Sequence, residues 1–247
     1  MNIAFPQIFA PMYGHRWQGA SLQGIGRIKQ IRFCSAEQIR FRTIVKRARM
    51  RPTGKVWSWK NCRTMHWESP YERDAFQLLN FRWDVIAYRE QSCEIIYTDD
   101  AGEESTHYPD IEVLTISSHE LWEVKTEYHS NRTPVSRRTE ILKRALFPYG
   151  LIYDVAIAEK LSNRHRLNTM QKILHFGNRP VSTVERYNVA CEMVQNGVST
   201  WGDACSGRFG SNGREILSRL VLEGFLKIDT DSPFGRTTEF VLGDRSW

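Results

Sequence analysis

The apolar period of this chain changes sharply near residue 80, and that change limits the fold more than any other feature. Upstream, Tyr71, Ala75, Phe76, Leu78 and Leu79 recur at helical spacing behind Ser69-Pro70-Tyr71-Glu72. Ser69 suits a cap, Pro70 suits the first helical position, and Glu72 completes a capping box, which predicts a helix to about Asn80. Downstream, three strand-like runs at 85–97, 106–114 and 120–126 are separated by the turn-rich Thr98-Asp99-Asp100-Ala101-Gly102 and by 115–119. These predict a meander beside the helix. A basic amphipathic helix at about 136–146 follows, ended by Pro148-Tyr149-Gly150. The nearly all-apolar 151–158 then reads as a buried strand,. Alternating elements make the body α/β.

Near Pro180 the pattern turns to helix, helix, helix and hairpin. Val184, Tyr187, Cys191 and Val194 keep helical spacing, Gly197 stops that helix, and a short second helix is expected at 201–206. A third is expected at 212–223 with Ile216, Leu217, Leu220 and Val221 inward, followed by pairing of 225–228 with 238–241,. That is the order of a winged helix. At the other end, residues 1–35 carry scattered Gly and Pro without a sustained period and read as an irregular arm. Ser35-Ala36-Glu37-Gln38 has the form of a capping box for a short helix,. The expected division is 1–56 as a basic arm, 57–178 as the α/β domain and 179–247 as a winged-helix-like domain.

Charge is uneven along these parts. Residues 1–66 hold thirteen Lys or Arg and one acid, Glu37, so this +12 segment leaves −6 for the rest of a chain whose net charge is +6. Arg40, Arg42, Lys46, Arg47, Arg49, Arg51 and Lys55, near Trp57 and Trp59, resemble a phosphate-tracking footprint with aromatics for stacking. A solvated helix face or a tail is the alternative. Five cysteines, widely spread and without a C-x-x-C pair, argue for reduced thiols and against zinc,. No apolar run is long enough for a membrane helix and the first residues lack the order of a signal peptide, so a cytoplasmic address is expected. Gly24-Ile25-Gly26 and Gly207, Gly210 and Gly213 read as turns because no G-K-[ST] follows them.

The chemistry concentrates in Glu72, Pro109-Asp110 and Glu123-Val124-Lys125. Side chains alternate on a strand, so Glu123 and Lys125 share a face, and a paired neighbouring strand can bring Asp110 across from Glu123. Glu72 can add a carboxylate from the helix. Carboxylates with the Val124 carbonyl suit a hard divalent cation, Mg²⁺ with Mn²⁺ as substitute, and Lys125 suits the attacking water or the charge that develops on a phosphate. An isolated E-x-K is usually a salt-bridged solvated face. Order and context raise its weight: helix Glu, strand P-D, then E-x-K with twelve residues between Asp110 and Glu123. Arg132, Arg137, Arg138, Lys143 and Arg144 beyond the E-x-K are candidate backbone contacts, Gln91 a candidate DNA contact, and Arg214, Arg219 and Arg236 candidates in the tail.

Ser69-Pro70-Tyr71-Glu72, Tyr88-Arg89-Glu90-Gln91, Ile95-Ile96-Tyr97, Tyr108-Pro109-Asp110 and Trp122-Glu123-Val124-Lys125 together resemble TnsA. TnsA is the endonuclease subunit of heteromeric cut-and-paste transposases, within the PD-(D/E)xK nuclease superfamily. The resemblance covers about residues 57–175. It implies a restriction-endonuclease-like mixed sheet flanked by helices, with Glu72, Asp110 and Lys125 matching the family's acid, acid and lysine. Glu123 falls where family members can carry Gln. It also implies cleavage at the 5′ ends of a mobile element, with a DDE-type transposase cutting the 3′ ends and an AAA+ ATPase regulator as partners, and it favours protein docking for the tail. A stand-alone restriction or repair nuclease and a non-catalytic DNA-binding regulator are the alternatives.

Overall fold

In the computed structural model, which describes residues 21–23, 27–35, 37–41, 52–243 and 245, the chain is mixed α/β. It divides into two compact units, Met1–Phe76 with Asp84–Leu161, and Gln77–Trp83 with Ser162–Trp247. The expected boundary at 178 thus differs from the observed one at 161. The helix Arg164–Phe176 packs on the helix Gly213–Leu222 and goes with the C-terminal unit.

Among the described residues the first unit starts with strands β1 (Ser21–Gln23) and β2 (Ile28–Phe33), where an irregular arm was expected. Ile28, Ile31 and Phe33 are buried, so this part of the arm is sheet. Gln38 N–H donates to Ser35 Oγ at 3.2 Å, but no helix follows among the described residues there. The hairpin β3 (Gly54–Ser58) and β4 (Arg63–Trp67) leads to helix α1 (Pro70–Phe81). Half of the predicted capping box is present: Glu72 N–H donates to Ser69 Oγ at 3.2 Å, but the Glu72 carboxylate accepts from Ser69 O–H at 3.1 Å and from Glu68 N–H at 2.8 Å instead of from Ser69 N–H,.

The run expected as one strand over 85–97 is two, β5 (Val85–Glu90) and β6 (Cys93–Thr98), and they belong to different sheets. Gln91 breaks the run with a left-handed φ of 43°, a conformation that costs a non-glycine residue about 1 kcal/mol,. Strands β7 (Glu104–His107), β8 (Ile111–Thr115) and β9 (His119–Lys125) follow. Then come the short helix α2 (Glu127–Ser130), α3 (Thr133–Leu146), strand β10 (Leu151–Ile157) and α4 (Ala158–Leu161). One sheet has the order β1-β2-β6-β7 and the other β10-β9-β8-β5. In the second, β5, β8 and β9 are antiparallel and β10 runs parallel to β9. Because α3 lies between β9 and β10 in sequence, it serves as the crossover that a parallel pair requires. Strand β10 is an edge strand, and Ile152, counted as buried from the sequence, is 49% exposed. Ile31, Ile95, Leu121, Leu142, Leu146 and Tyr153 form the centre of one core shared by both sheets and α3. Each such leucine contributes about 2 kcal/mol relative to an exposed one.

The second unit contains α5 (Arg164–Phe176), α6 (Thr183–Asn196), β11 (Ser199–Thr200), α7 (Trp201–Cys205), α8 (Gly213–Leu222), β12 (Leu226–Ile228) and β13 (Glu239–Leu242). Its sheet has the order β11-β13-β12. Trp201 packs against Phe176, Phe234 and Phe240. The stripe Val184, Tyr187, Cys191 and Val194 does not face the core. Val184, Tyr187 and Val194 are exposed, while Val189 and Met193 are buried. Arg186 turns the helix this way, because its guanidinium binds Glu223 Oε2 at 2.8 Å and lies 4.2 Å from the centre of the Phe225 ring.

Candidate active site

Strand pairing sets the site. Ile111 of β8 stands opposite Trp122 of β9, which brings Asp110 level with Glu123 and Val124. Val124 N–H donates to Asp110 Oδ2 at 2.8 Å. The left-handed turn at Gln91 adds a second tether, since Gln91 N–H donates to the Asp110 carbonyl at 3.0 Å. Glu123 and Lys125 share a face, as alternation requires, and Lys125 Nζ lies 2.7 Å from Glu123 Oε1,. The same ammonium is 3.5 Å from Asp110 Oδ2 and donates to the Val124 carbonyl at 3.3 Å. The oxygens of all three residues therefore converge on one cationic point.

Glu72 enters from the first turn of α1. Its Oε2 accepts from Glu68 N–H at 2.8 Å, and its Oε1 accepts from Ser69. Burial, followed by repulsion from Asp110, pushes the Glu72 carboxyl up to about 7. Burial also raises Asp110, against the opposing pull of Lys125. Glu123 behaves in the opposite way. Burial would raise it, but the contacts with His107 and Lys125 hold its carboxyl well below the usual range. Burial would likewise discharge Lys125, and Asp110 with Glu123 keeps it charged. Two acids thus lack sufficient positive charge, while the third has enough.

These groups line an open cleft of ≈ 660 Å³ within the first unit, with Glu68, Thr126 and His129 on its walls. Hard carboxylate and carbonyl oxygens suit Mg²⁺ better than a soft metal. Among the described residues, no three His, Cys, Asp or Glu side chains stand close enough together to hold a metal as they are. The fit to a divalent cation rests on the donor chemistry, on the buried and raised carboxyls of Glu72 and Asp110, and on the ammonium that the oxygens already surround.

The other residues singled out from sequence are distributed differently. Arg42, Lys46, Arg47, Arg49 and Arg51 lie outside the described residues. Arg40 is turned inward toward the buried Glu90, at 3.8 Å. Gln91 is only 3% exposed, and its amide donates to Glu68 Oε2 at 3.2 Å, so it works inside the wall of the cleft and offers no surface to DNA. Arg132 and Arg137 are exposed on and beside α3. Arg138 instead points into the site and donates to Glu123 Oε1 at 2.9 Å. Lys143 pairs with Asp154 at 2.8 Å. In the second unit Arg219 binds Glu223 at 2.7 Å and Arg214 lies over the Phe176 ring.

Sequence reasoning missed His107 and Tyr153. Tyr153 O–H donates to Glu123 Oε2 at 2.7 Å, and His107 Nε2 lies 2.9 Å from the same oxygen. Tyr153 was counted as core in an apolar run. Its hydroxyl was the available signal, because a buried tyrosine oxygen needs a polar partner. His107 stands three residues before Asp110, and nothing in its spacing marked it.

Among the described residues no helix is long and apolar enough to cross a membrane. Comparison of the sequence with protein-family models and with curated proteins returns no match.

Proposed function

We propose that this chain is a Mg²⁺-dependent DNA endonuclease acting as the TnsA-like subunit of a cut-and-paste transposase, hydrolysing phosphodiesters at the 5′ ends of a mobile element. The observation that carries the reading is the convergence of Asp110, Glu123, Lys125 and the Val124 carbonyl at one point of a cleft that Glu72 also lines. The order α1-β5-β8-β9-α3-β10, three antiparallel strands and one parallel, supports a restriction-endonuclease-like sheet flanked by helices. Three helices, α6, α7 and α8, followed by the β12–β13 hairpin support a winged-helix reading of the tail.

Asp110, Glu72 and the Val124 carbonyl are the groups that would hold Mg²⁺ or Mn²⁺. When bound, such an ion lowers the pKa of its water and polarises the scissile phosphate. The protein supplies the rest. Val124 N–H fixes the Asp110 carboxylate, and Glu68 N–H with Ser69 O–H orients Glu72. Lys125, kept charged by its carboxylate neighbours, orients the attacking water and offsets negative charge developing on phosphorus,. Exposed Arg132 and Arg137 grip the phosphate backbone without reading sequence. Choice of site then falls to partners, a DDE-type transposase and an AAA+ ATPase regulator.

The test is Asp110→Ala and Lys125→Ala, assayed with the partner transposase, transposon-end DNA and Mg²⁺. Loss of 5′-strand cleavage with 3′-strand cleavage retained is expected. Wild-type 5′ cleavage by either variant refutes the assignment.

A further inference from the structure

Both oxygens of Glu123 are already taken. A carboxylate offers about four acceptor sites. Arg138 Nη2 at 2.9 Å and Lys125 Nζ at 2.7 Å occupy Oε1, while Tyr153 O–H at 2.7 Å and His107 Nε2 at 2.9 Å occupy Oε2. The three holders other than Lys125 come from separate elements: His107 ends β7, Arg138 lies on α3 and Tyr153 on β10. Tyr153 O–H and His107 Nε2 are also 2.9 Å from each other, so Oε2 sits at one corner of a closed triangle. Glu123, His107 and Tyr153 are all buried. A cation binding Glu123 there would strand a donor away from water, which is costly.

The Lys125 distances point the same way. Its ammonium is 2.7 Å from Glu123, but 3.3 Å from the Val124 carbonyl and 3.5 Å from Asp110. Lys125 therefore belongs to Glu123, and Asp110 is the less committed carboxylate. Building on the nuclease reading above, we propose that Glu123 is a positioning residue and not a metal ligand. His107, Arg138 and Tyr153 cage it so that it holds the Lys125 ammonium at the reacting phosphate. His107, Arg138 and Tyr153 are positioning residues in turn, acting on Lys125 through Glu123.

The experiment uses the full chain with Ca²⁺ as the metal probe. Calorimetric titration compares wild type, Glu123→Gln and Asp110→Asn, and amine-reactive labelling with mass spectrometry reads Lys125 in wild type, Glu123→Gln and Tyr153→Phe. Glu123→Gln should keep Ca²⁺ affinity within about threefold while Asp110→Asn weakens it at least about tenfold. Lys125 labelling should rise at least about twofold in both Glu123→Gln and Tyr153→Phe with other lysines unchanged, a local response that general loosening does not produce. Tyr153→Phe removes one oxygen and keeps the ring, so it carries the test if Glu123→Gln folds poorly. Loss of Ca²⁺ binding in Glu123→Gln to the extent seen in Asp110→Asn overturns the proposal and leaves the nuclease reading standing. Unchanged Lys125 labelling in both variants also overturns it. A wild-type chain that takes up no Ca²⁺ overturns the proposal and the metal-nuclease reading together.

Discussion

Replacing Glu72 by Gln should stabilise the metal-free first unit at pH 8 and not at pH 4. The folded state holds the Glu72 carboxyl up to about 7 against an ordinary value of 4.5, through burial and then repulsion from Asp110. At about 1.4 kcal/mol per pH unit, the charge on Glu72 costs the fold about 3 kcal/mol above pH 7. The sign follows from proton counts. Between 4.5 and 7 the folded chain binds more protons than the unfolded one, so this contribution to stability falls as pH rises through that window. Gln has no charge to bury, but one of its termini is an amide nitrogen. It can therefore accept from only one of Glu68 N–H and Ser69 Oγ, a loss of about 1 kcal/mol,. The net expectation is a gain of about 2 kcal/mol at pH 8 and a loss of about 1 kcal/mol at pH 4. Urea unfolding in the presence of a chelator, read by pulsed hydrogen exchange in peptides from β8 and β9, reports the unit that contains Glu72. An equal effect of the substitution at both pH values refutes the reasoning.

Gly224→Ala should cost the second unit at least about 2 kcal/mol, seen as a lower urea midpoint. Its φ is +83°, and a Cβ there would lie 2.6 Å from the Trp83 ring. Ser182→Ala removes the hydroxyl of the α6 capping box and should cost about 1 kcal/mol,. Arg179, then Ser182, holds the Glu185 carboxyl down to about 2. That stability is present above about pH 4.5 and is lost as pH falls toward 2, and the acid limb should be shallower in the Ser182 variant. Ca²⁺ should tighten binding of a short duplex by at least about tenfold over chelator, measured by fluorescence anisotropy. Asp110→Asn should remove most of that dependence.

The elements that sequence made legible are those with a strong period or a strong cap. The helix after Ser69 is the clearest example, because Ser69, Pro70 and Glu72 specify its start independently of tertiary structure. The shared face of Glu123 and Lys125 was legible too, since alternation alone sets it, whereas the register of β8 with β9 that puts Asp110 level with Glu123 was read only on the condition that the two strands pair,. What could not be read depended on choices between equivalent local options. Helix α6 carries two apolar stripes, and its burial of Val189 and Met193 was decided by Arg186 against Glu223 and Phe225, residues far along the chain. The break at Gln91 was hidden because a left-handed glutamine leaves no trace in hydrophobic pattern. The cleft acids were visible as a motif, whereas the cage around Glu123 draws on β7, α3 and β10, and no local spacing connects them.

Charge explains why the site keeps its acids so poorly compensated. Glu72, Asp110 and Glu123 face the cleft with Lys125, which lies nearest to Glu123, and Arg138 pairs with Glu123 as well. Burial lifts both Glu72 and Asp110, and repulsion from Asp110 lifts Glu72 further, which burdens the fold. They would repel DNA as well. A phosphate about 5 Å from one uncompensated carboxylate, at an effective dielectric of about 20, is opposed by about 3 kcal/mol. On the proposed reading, one divalent cation held by these acids would remove both penalties at once, so metal binding, stability of the first unit and duplex affinity would be linked through the same pair of side chains. A neutral residue at position 72 gains the stability without a metal, and on the nuclease reading by the same step it gives up a proposed ligand. The cost carried by Glu72 is thus what the proposed metal site would bear in order to keep its acids underneutralised before a cation binds.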